Sequence, residues 1–330
     1  MICRFASWRS GLKSPCNCRL SDSSGQVVNQ AAHKPGRRWH RWRVVGSAIG
    51  LLLLAAAIWL VVSRSGELAQ AWAALKEPRP QWIVLLIVGI VGAVSTSALA
   101  QSLMLRRMSG VWVPLGEMSG LVTVSTLLNT LPLWPGALGR IGYHRVVHGI
   151  PPMRAGIAIV SVRLVGSLTG LLLLAMAWAL GGSTALVCVA WASVLVGFGL
   201  VSIAQSTRLA SAAAGAMWFD LGWAGLRYVA AFELLGLHID VGTAGALAGT
   251  ASLASSVPFV GGAPGLREWA VGWMTSRMEV LPDALALGLL ADLLVRAATI
   301  VVLMPIGILM GRGLSRRLRA AVEALGPGQS

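Results

Sequence analysis

Charged side chains are scarce in this chain: Asp, Glu, Lys and Arg make up 12% of its 330 residues, where a soluble domain carries about a quarter. Acids are scarcer still, 12 against 27 Lys and Arg. That shortage excludes an ordinary water-soluble enzyme surface. Cysteine is sparse as well. Cys16 and Cys18 lie close together, but neither they nor Cys3 and Cys188 have a second pair or nearby His ligands. Zinc-site spacing is absent, and no disulfide framework is suggested. No P-loop is present, so transport by these residues would be passive or ion-coupled. No apolar run precedes Arg43, which excludes a cleaved secretory signal there. Residues 1–43 hold Arg, Ser, Gly, Pro and Asn with one acid, Asp22. A transit peptide could share that composition, and Arg37-Arg38 weakly resemble a twin-arginine signal. The chain reads straight into an apolar span, which favours a disordered, basic cytoplasmic arm.

What the chain has is apolar sequence. It is 56% hydrophobic, with a mean hydropathy of +0.73. Its length leaves room for six to eight spans of about 20 residues each. The net charge of +15 gathers at the N-terminus, in short loops and at Arg312, Arg316, Arg317 and Arg319. This is the pattern of positive-inside topology and anionic headgroup contact, and nucleic acid is not expected as a partner. Candidate spans cover 44–63, 82–104, 155–180, 185–204, 212–236 and 283–310. The domains expected are an arm over 1–43, a membrane domain over 44–311 and a basic cytoplasmic tail over 312–330.

Two further apolar segments are short and end in helix breakers. Residues 117–134 run into Pro132, Pro135, Gly136 and Gly139, and 241–260 run into Pro258, Gly261, Gly262 and Gly265. If both spanned fully, Arg140, Arg145 and Arg154 would face outward, against the positive-inside bias. If each enters, breaks and returns, those arginines stay inside. The expected fold is therefore all-α and polytopic, with about six full transmembrane helices and two re-entrant hairpins in an inverted repeat. Both termini would be cytoplasmic. Broken backbone at membrane depth requires surrounding protein or a water-filled cavity.

Pro132, Gly136 and Gly139 align with Pro258, Gly262 and Gly265 at one offset, and an Arg follows each set (Arg140, Arg267). Spans bearing Arg163 and Arg296 come later. Matched broken segments point to a transporter substrate site, because exposed backbone N–H groups and an adjacent Arg suit an anion. Two ordinary Pro/Gly loops with arginines near the headgroups would give the same spacing. Arg or Asp at mid-bilayer costs about 2.5–3.5 kcal/mol. Asp292 and Arg296 lie one turn apart and could pair. Asp220 and Arg227 share a face, and Arg163 needs a partner from another segment. Structural pairing and a ligand role both remain open for these charges. Gly166 and Gly170 suit helix packing.

The run NTLPLWPGALGRIGYHRVVHGI, an Arg in the next span, and the run VPFVGGAPGLREW together resemble the membrane region of lysylphosphatidylglycerol synthases and related flippase-like proteins. The likeness covers roughly residues 44–310, and the second motif, with Arg267 and Glu268, is the more specific. The first motif departs from the family at Ala137, where members often carry an acid. The resemblance implies a lipid-handling domain of the bacterial inner membrane. In that family such domains flip an aminoacylated phospholipid or assist polyprenyl-linked glycan transfer. A separate glycosyl- or aminoacyl-transferase is the implied partner, since the fused transferase of some members has no counterpart here.

Three functional classes follow. A lipid translocase would bind an anionic headgroup through Arg140, Arg163, Arg267 and Arg296, with Asn129, Ser255 and Ser256 hydrogen bonding. Glu268, Asp220 and Asp292 would orient the arginines or receive a cationic headgroup. A membrane enzyme of polyprenyl-phosphate or glycolipid metabolism would need a base, for which His144 and His148 are nearest. A non-transporting accessory subunit would need neither. No cofactor or metal is expected.

Overall fold

The computed structural model describes residues 37–64, 66, 68–129, 135–179, 191–194, 196–198, 207–256, 265–277 and 283–325. All regular structure among them is helical. The elements are α1 (Arg37–Ser63), α2 (Ala69–Lys76), α3 (Pro80–Ser109), α4 (Leu115–Leu128), α5 (Pro135–His148), α6 (Pro152–Ala179), α7 (Arg208–Leu234), α8 (Val241–Ser256), α9 (Leu266–Arg277) and α10 (Ala284–Leu325). Among the described residues three helices are long and apolar enough to cross a bilayer: Pro80–Ser109, Pro152–Met176 and Ala284–Ala324. On α3, Val84, Ile87, Val88 and Val91 are exposed at helical spacing, and on α10 so are Val301, Met304 and Ile308. An apolar stripe turned outward from an already apolar core is what lipid-facing helices present.

Two helices run past the expected boundaries. α1 begins at Arg37 and not at 44, so residues 37–43 are helical where a disordered arm was expected. No Gly or Pro interrupts 37–45, so nothing stops the helix at the bilayer edge. α10 continues to Leu325 because no breaker occurs between Leu314 and Leu325, so most of the expected tail is helix. Most of the candidate span 185–204, together with Cys188, lies outside the described residues. So do Cys3, Cys16 and Cys18.

α3 and α7 form the closest pair. A Cβ on Gly92 would lie 2.5 Å from the Trp223 ring, and one on Gly89 2.8 Å from Arg227 Cγ. α6 meets α8 through small residues. A Cβ on Gly249 would lie 2.6 Å from the Gly170 carbonyl, Ser252 Oγ donates to the Gly166 carbonyl at 3.0 Å, and Ser167 Oγ donates to Ser256 Oγ at 2.6 Å. Close backbones of this kind are the usual glue between membrane helices.

The broken segments form two short helix pairs, α4/α5 and α8/α9. Their helices have 14, 14, 16 and 12 residues. At 1.5 Å rise they reach only about 18–24 Å, short of the ~30 Å hydrocarbon core. α4 and α9, one helix of each pair, pack along α10 from opposite ends. Glu117, Gly120 and Leu127 of α4 meet Arg317, Met310 and Gly307 in turn. Glu268, Gly272 and Thr275 of α9 meet Arg296, Leu289 and Gly288. The broken ends therefore point toward each other along the middle of α10. Pro305 lies inside α10 between these two contact zones.

Pro132, Pro258, Gly261 and Gly262 lie outside the described residues. Pro135 and Gly136 open α5, where Pro suits the first turn. A Cβ on Gly136 would run into the Ser125 carbonyl and come within 2.7 Å of Asn129 Oδ1, so only Gly lets α5 fold back on α4. Gly139, expected as part of the break, sits inside α5 with open space where a Cβ would be. The first break ends before it. Gly265 differs: its φ is +117°, and a Cβ there would lie 2.5 Å from the Gly50 carbonyl of α1.

Candidate functional site

α6, α7, α8, α9 and α10 line an open polar cavity of about 160 Å³. Three arginines line it: Arg163 from α6, Arg227 from α7 and Arg267 from α9. Asp220 is the one acid among the lining residues; it accepts from Thr96 Oγ1 at 3.4 Å and lies within electrostatic reach of both Arg227 and Arg163. Tyr228, Ser252, Ser255 and Ser256 complete the polar wall. The lining carries three positive charges and one negative. Asp292, directly behind Arg267, leaves a net excess of one positive charge. Such an excess inside apolar helices demands an anion or a large structural compensation.

The arginines differ in how they are held. Arg267 is fixed: its Nη2 and Nε donate to Asp292 Oδ1 at 2.7 and 3.1 Å, and Nη2 reaches Tyr228 Oη at 3.3 Å. Tyr228 Oη donates to the same carboxylate oxygen at 2.6 Å. Asp292 is fully buried, and its Oδ2 has no partner. Next in chain, Glu268 is also fully buried; it pairs with Arg296 and accepts from the Gly265 N–H at 2.7 Å. That carboxylate thus caps the positive N-terminus of α9. Arg163 and Arg227 are less engaged. Arg163 is exposed into the cavity, and Arg227 Nε is buried without a partner. Arg227 and Arg267 also repel each other.

This arrangement corrects one expected pairing. Asp292 and Arg296 do not pair with each other along α10; each pairs across to α9 instead, with Arg267 and Glu268. The two cross-helix pairs leave no intrahelical partner to share and pin α9 to α10. Asp220 and Arg227 do share the cavity face, and Arg163 finds its acid, Asp220, on another helix.

Of the residues expected at a headgroup site, Arg163, Arg267, Ser255 and Ser256 come together at the cavity. Glu268 and Arg296 stand behind it as a pair. Asn129 lies at the end of α4 with Oδ1 buried and unpartnered, beside Gly136. Arg140 is buried, 4% exposed, and donates to Gln101 Oε1 outside the cavity, within electrostatic reach of Arg163. His144 and His148 do not line the cavity. His148 Nε2 lies 2.9 Å from Glu117 Oε1, which also accepts from Tyr143 Oη at 2.8 Å. Among the described residues no group of His, Cys, Asp or Glu is placed to hold a metal ion.

Sequence reasoning missed Tyr228, Ser252, Glu117 and Tyr143. One signal was available. The chain has two tyrosines, Tyr143 and Tyr228, and each is buried against a buried carboxylate. A phenol that scarce in an apolar chain marks a buried polar group that needs a donor.

Fold and cavity together define a helical membrane protein with an arginine-lined polar interior. No protein-family model, curated protein or solved structure matches the chain.

Proposed function

We propose that this chain is a flippase-like lipid translocase of the bacterial inner membrane, with both termini cytoplasmic, that moves a lipid bearing an anionic phosphate headgroup. Its substrate is a phospholipid, free or aminoacylated, or a polyprenyl-phosphate-linked lipid. α4/α5 and α8/α9 act as re-entrant hairpins entering from opposite faces. The observation that carries the reading is the cavity charge: Arg163, Arg227 and Arg267 against Asp220 and Asp292. Guanidinium groups bind phosphate oxygens in pairs; Ser255 and Ser256 line the same wall, their hydroxyls donating to the Ala251 and Ser252 carbonyls in this structure and reaching a headgroup only by turning from them. Arg163 and Arg227, the less engaged pair, contact the headgroup, while Arg267 is held by Asp292 and Tyr228. Opposed broken hairpins meeting at mid-helix are the architecture of alternating-access sites. The resemblance of the two motifs to flippase-like membrane regions supports the same reading.

The test is reconstitution of the full chain in phosphatidylcholine vesicles with a trace of headgroup-intact, tail-labelled phosphatidylglycerol. Dithionite quenches label in the outer leaflet only. The proposal expects the inner-leaflet pool to drain in protein-containing vesicles, and more slowly with Arg163→Ala. A pool equal to that of protein-free vesicles overturns it.

A further inference from the structure

His144 has a feature that folding does not account for. It is 2% exposed, and its Nδ1 is buried with no hydrogen-bond partner. It faces a small cavity of about 10 Å³ shared with Gln101 of α3 and Ala158 and Ile159 of α6. That is room for about one water between an imidazole nitrogen and a side-chain amide.

Polar groups continue on both sides of this cavity. One turn along α5, the His148 ring lies 5.7 Å from that of His144, and His148 contacts Glu117. Arg317 also pairs with Glu117, and its side chain is 60% exposed, so the cluster reaches water at that end. One turn back along α5, Arg140 donates to Gln101 and has its own Nε buried without a partner. Arg140 lies within electrostatic reach of both His144 and Arg163. The polar strip thus joins a wet end of the bundle to the arginine-lined cavity.

We propose that His144, with His148 and Glu117, forms a proton-binding site coupled to the headgroup cavity, so that lipid movement is proton-linked. This rests on the translocase reading. The groups that face His144 set the sign. α3 offers the neutral Gln101, and α6 offers apolar side chains. α4 brings Glu117, α10 brings Arg317, and α5 itself brings Arg140, Tyr143 and His148. A proton on His144 places a positive charge beside Arg140, which already repels Arg163. An anion on Arg163 relieves that repulsion. By reciprocity, each ligand strengthens the other's binding. The unpartnered Nδ1 of His144 is the atom at which the proton is taken up and released. One proton carried with one phosphodiester is electroneutral, so a pH gradient drives the movement and a membrane potential does not.

The full chain in phosphatidylcholine vesicles with labelled phosphatidylglycerol tests this under a pH step of one unit, interior alkaline. With one proton per lipid, the labelled lipid reaches about a tenfold excess in the inner leaflet, since one pH unit and a tenfold ratio are the same free energy. His144→Gln and Glu117→Gln, two independent variants, relax to a ratio near one while lipid still moves. A wild-type ratio near one with lipid moving overturns the coupling and spares the translocase. Accumulation in the acid-facing leaflet overturns it too, as does full coupling retained in both variants. No movement at all overturns the translocase reading and the coupling together.

Discussion

Beside each of the α4/α5 and α8/α9 hairpins a tyrosine and an arginine meet on one buried carboxylate, but the two arginines differ in their access to water. In the first, Glu117 takes Tyr143 and an Arg317 whose side chain is 60% exposed. In the second, Asp292 takes Tyr228 and Arg267, and the neighbouring Glu268 takes Arg296; both acids are fully buried. That access decides what the pairs are worth. A charge pair open to water contributes little, because solvent screens it and the side chains lose entropy. A buried pair gains little over an apolar replacement, yet removing one partner strands the other without water. The outer pair is open to water at Arg317 alone, while Glu117 is itself buried and keeps Tyr143 and His148 as further partners. The inner pairs lock α9 to α10 and hold Arg267 in place beside the cavity.

That contrast orders the expected mutational effects. Glu268→Ala or Asp292→Ala leaves a half-buried arginine without its acid and should cost about 3 kcal/mol, read as a fall in thermal midpoint of the detergent-solubilised chain. Midpoints near wild type for both would mean that water reaches these sites and that access to it does not separate the hairpins. A smaller effect separates two glycines aligned in the sequence repeat. Gly265→Ala forces a side chain into φ of +117° and against α1, which costs about 1–3 kcal/mol from backbone strain before any clash. Gly139→Ala lies in a helix with open space and should stabilise by about 0.5–1 kcal/mol. Denaturant titrations giving the same sign for both would restore the repeat as structurally equivalent. The smallest effect belongs to Arg317→Ala, about 0–1 kcal/mol and weaker at high salt. A loss as large as that of Glu268→Ala would place the outer pair as far from water as the inner ones.

Much of this architecture was legible because lipid imposes strong rules. Apolar runs marked α1, α3, α6, α7 and α10. The cavity arginines Arg163 and Arg227 stood out because a charge in an apolar run needs a reason, and Arg267 because it follows the second Pro/Gly break. Their pairing was not legible. Spacing along one helix joined Asp292 to Arg296, whereas packing against α9 supplied better partners at right angles to that helix. Nothing local singles out Glu117 at the start of its segment, because its importance depends on Tyr143 and Arg317 arriving from distant sequence. The equivalence of Gly139 and Gly265 failed for a related reason: spacing records residue identity, while φ and the approach of α1 are set by the tertiary fold.

The central claim is that the three-arginine cavity holds an anionic headgroup. Native mass spectrometry of the full chain, released from nanodiscs of mixed anionic and zwitterionic lipids, reads this directly. The account predicts that the wild-type chain retains one phosphate-bearing anionic lipid in preference to zwitterionic lipid, and that Arg163→Ala combined with Arg227→Ala abolishes the preference. Equal retention of both lipid classes, or a preference unchanged in that variant, would contradict it.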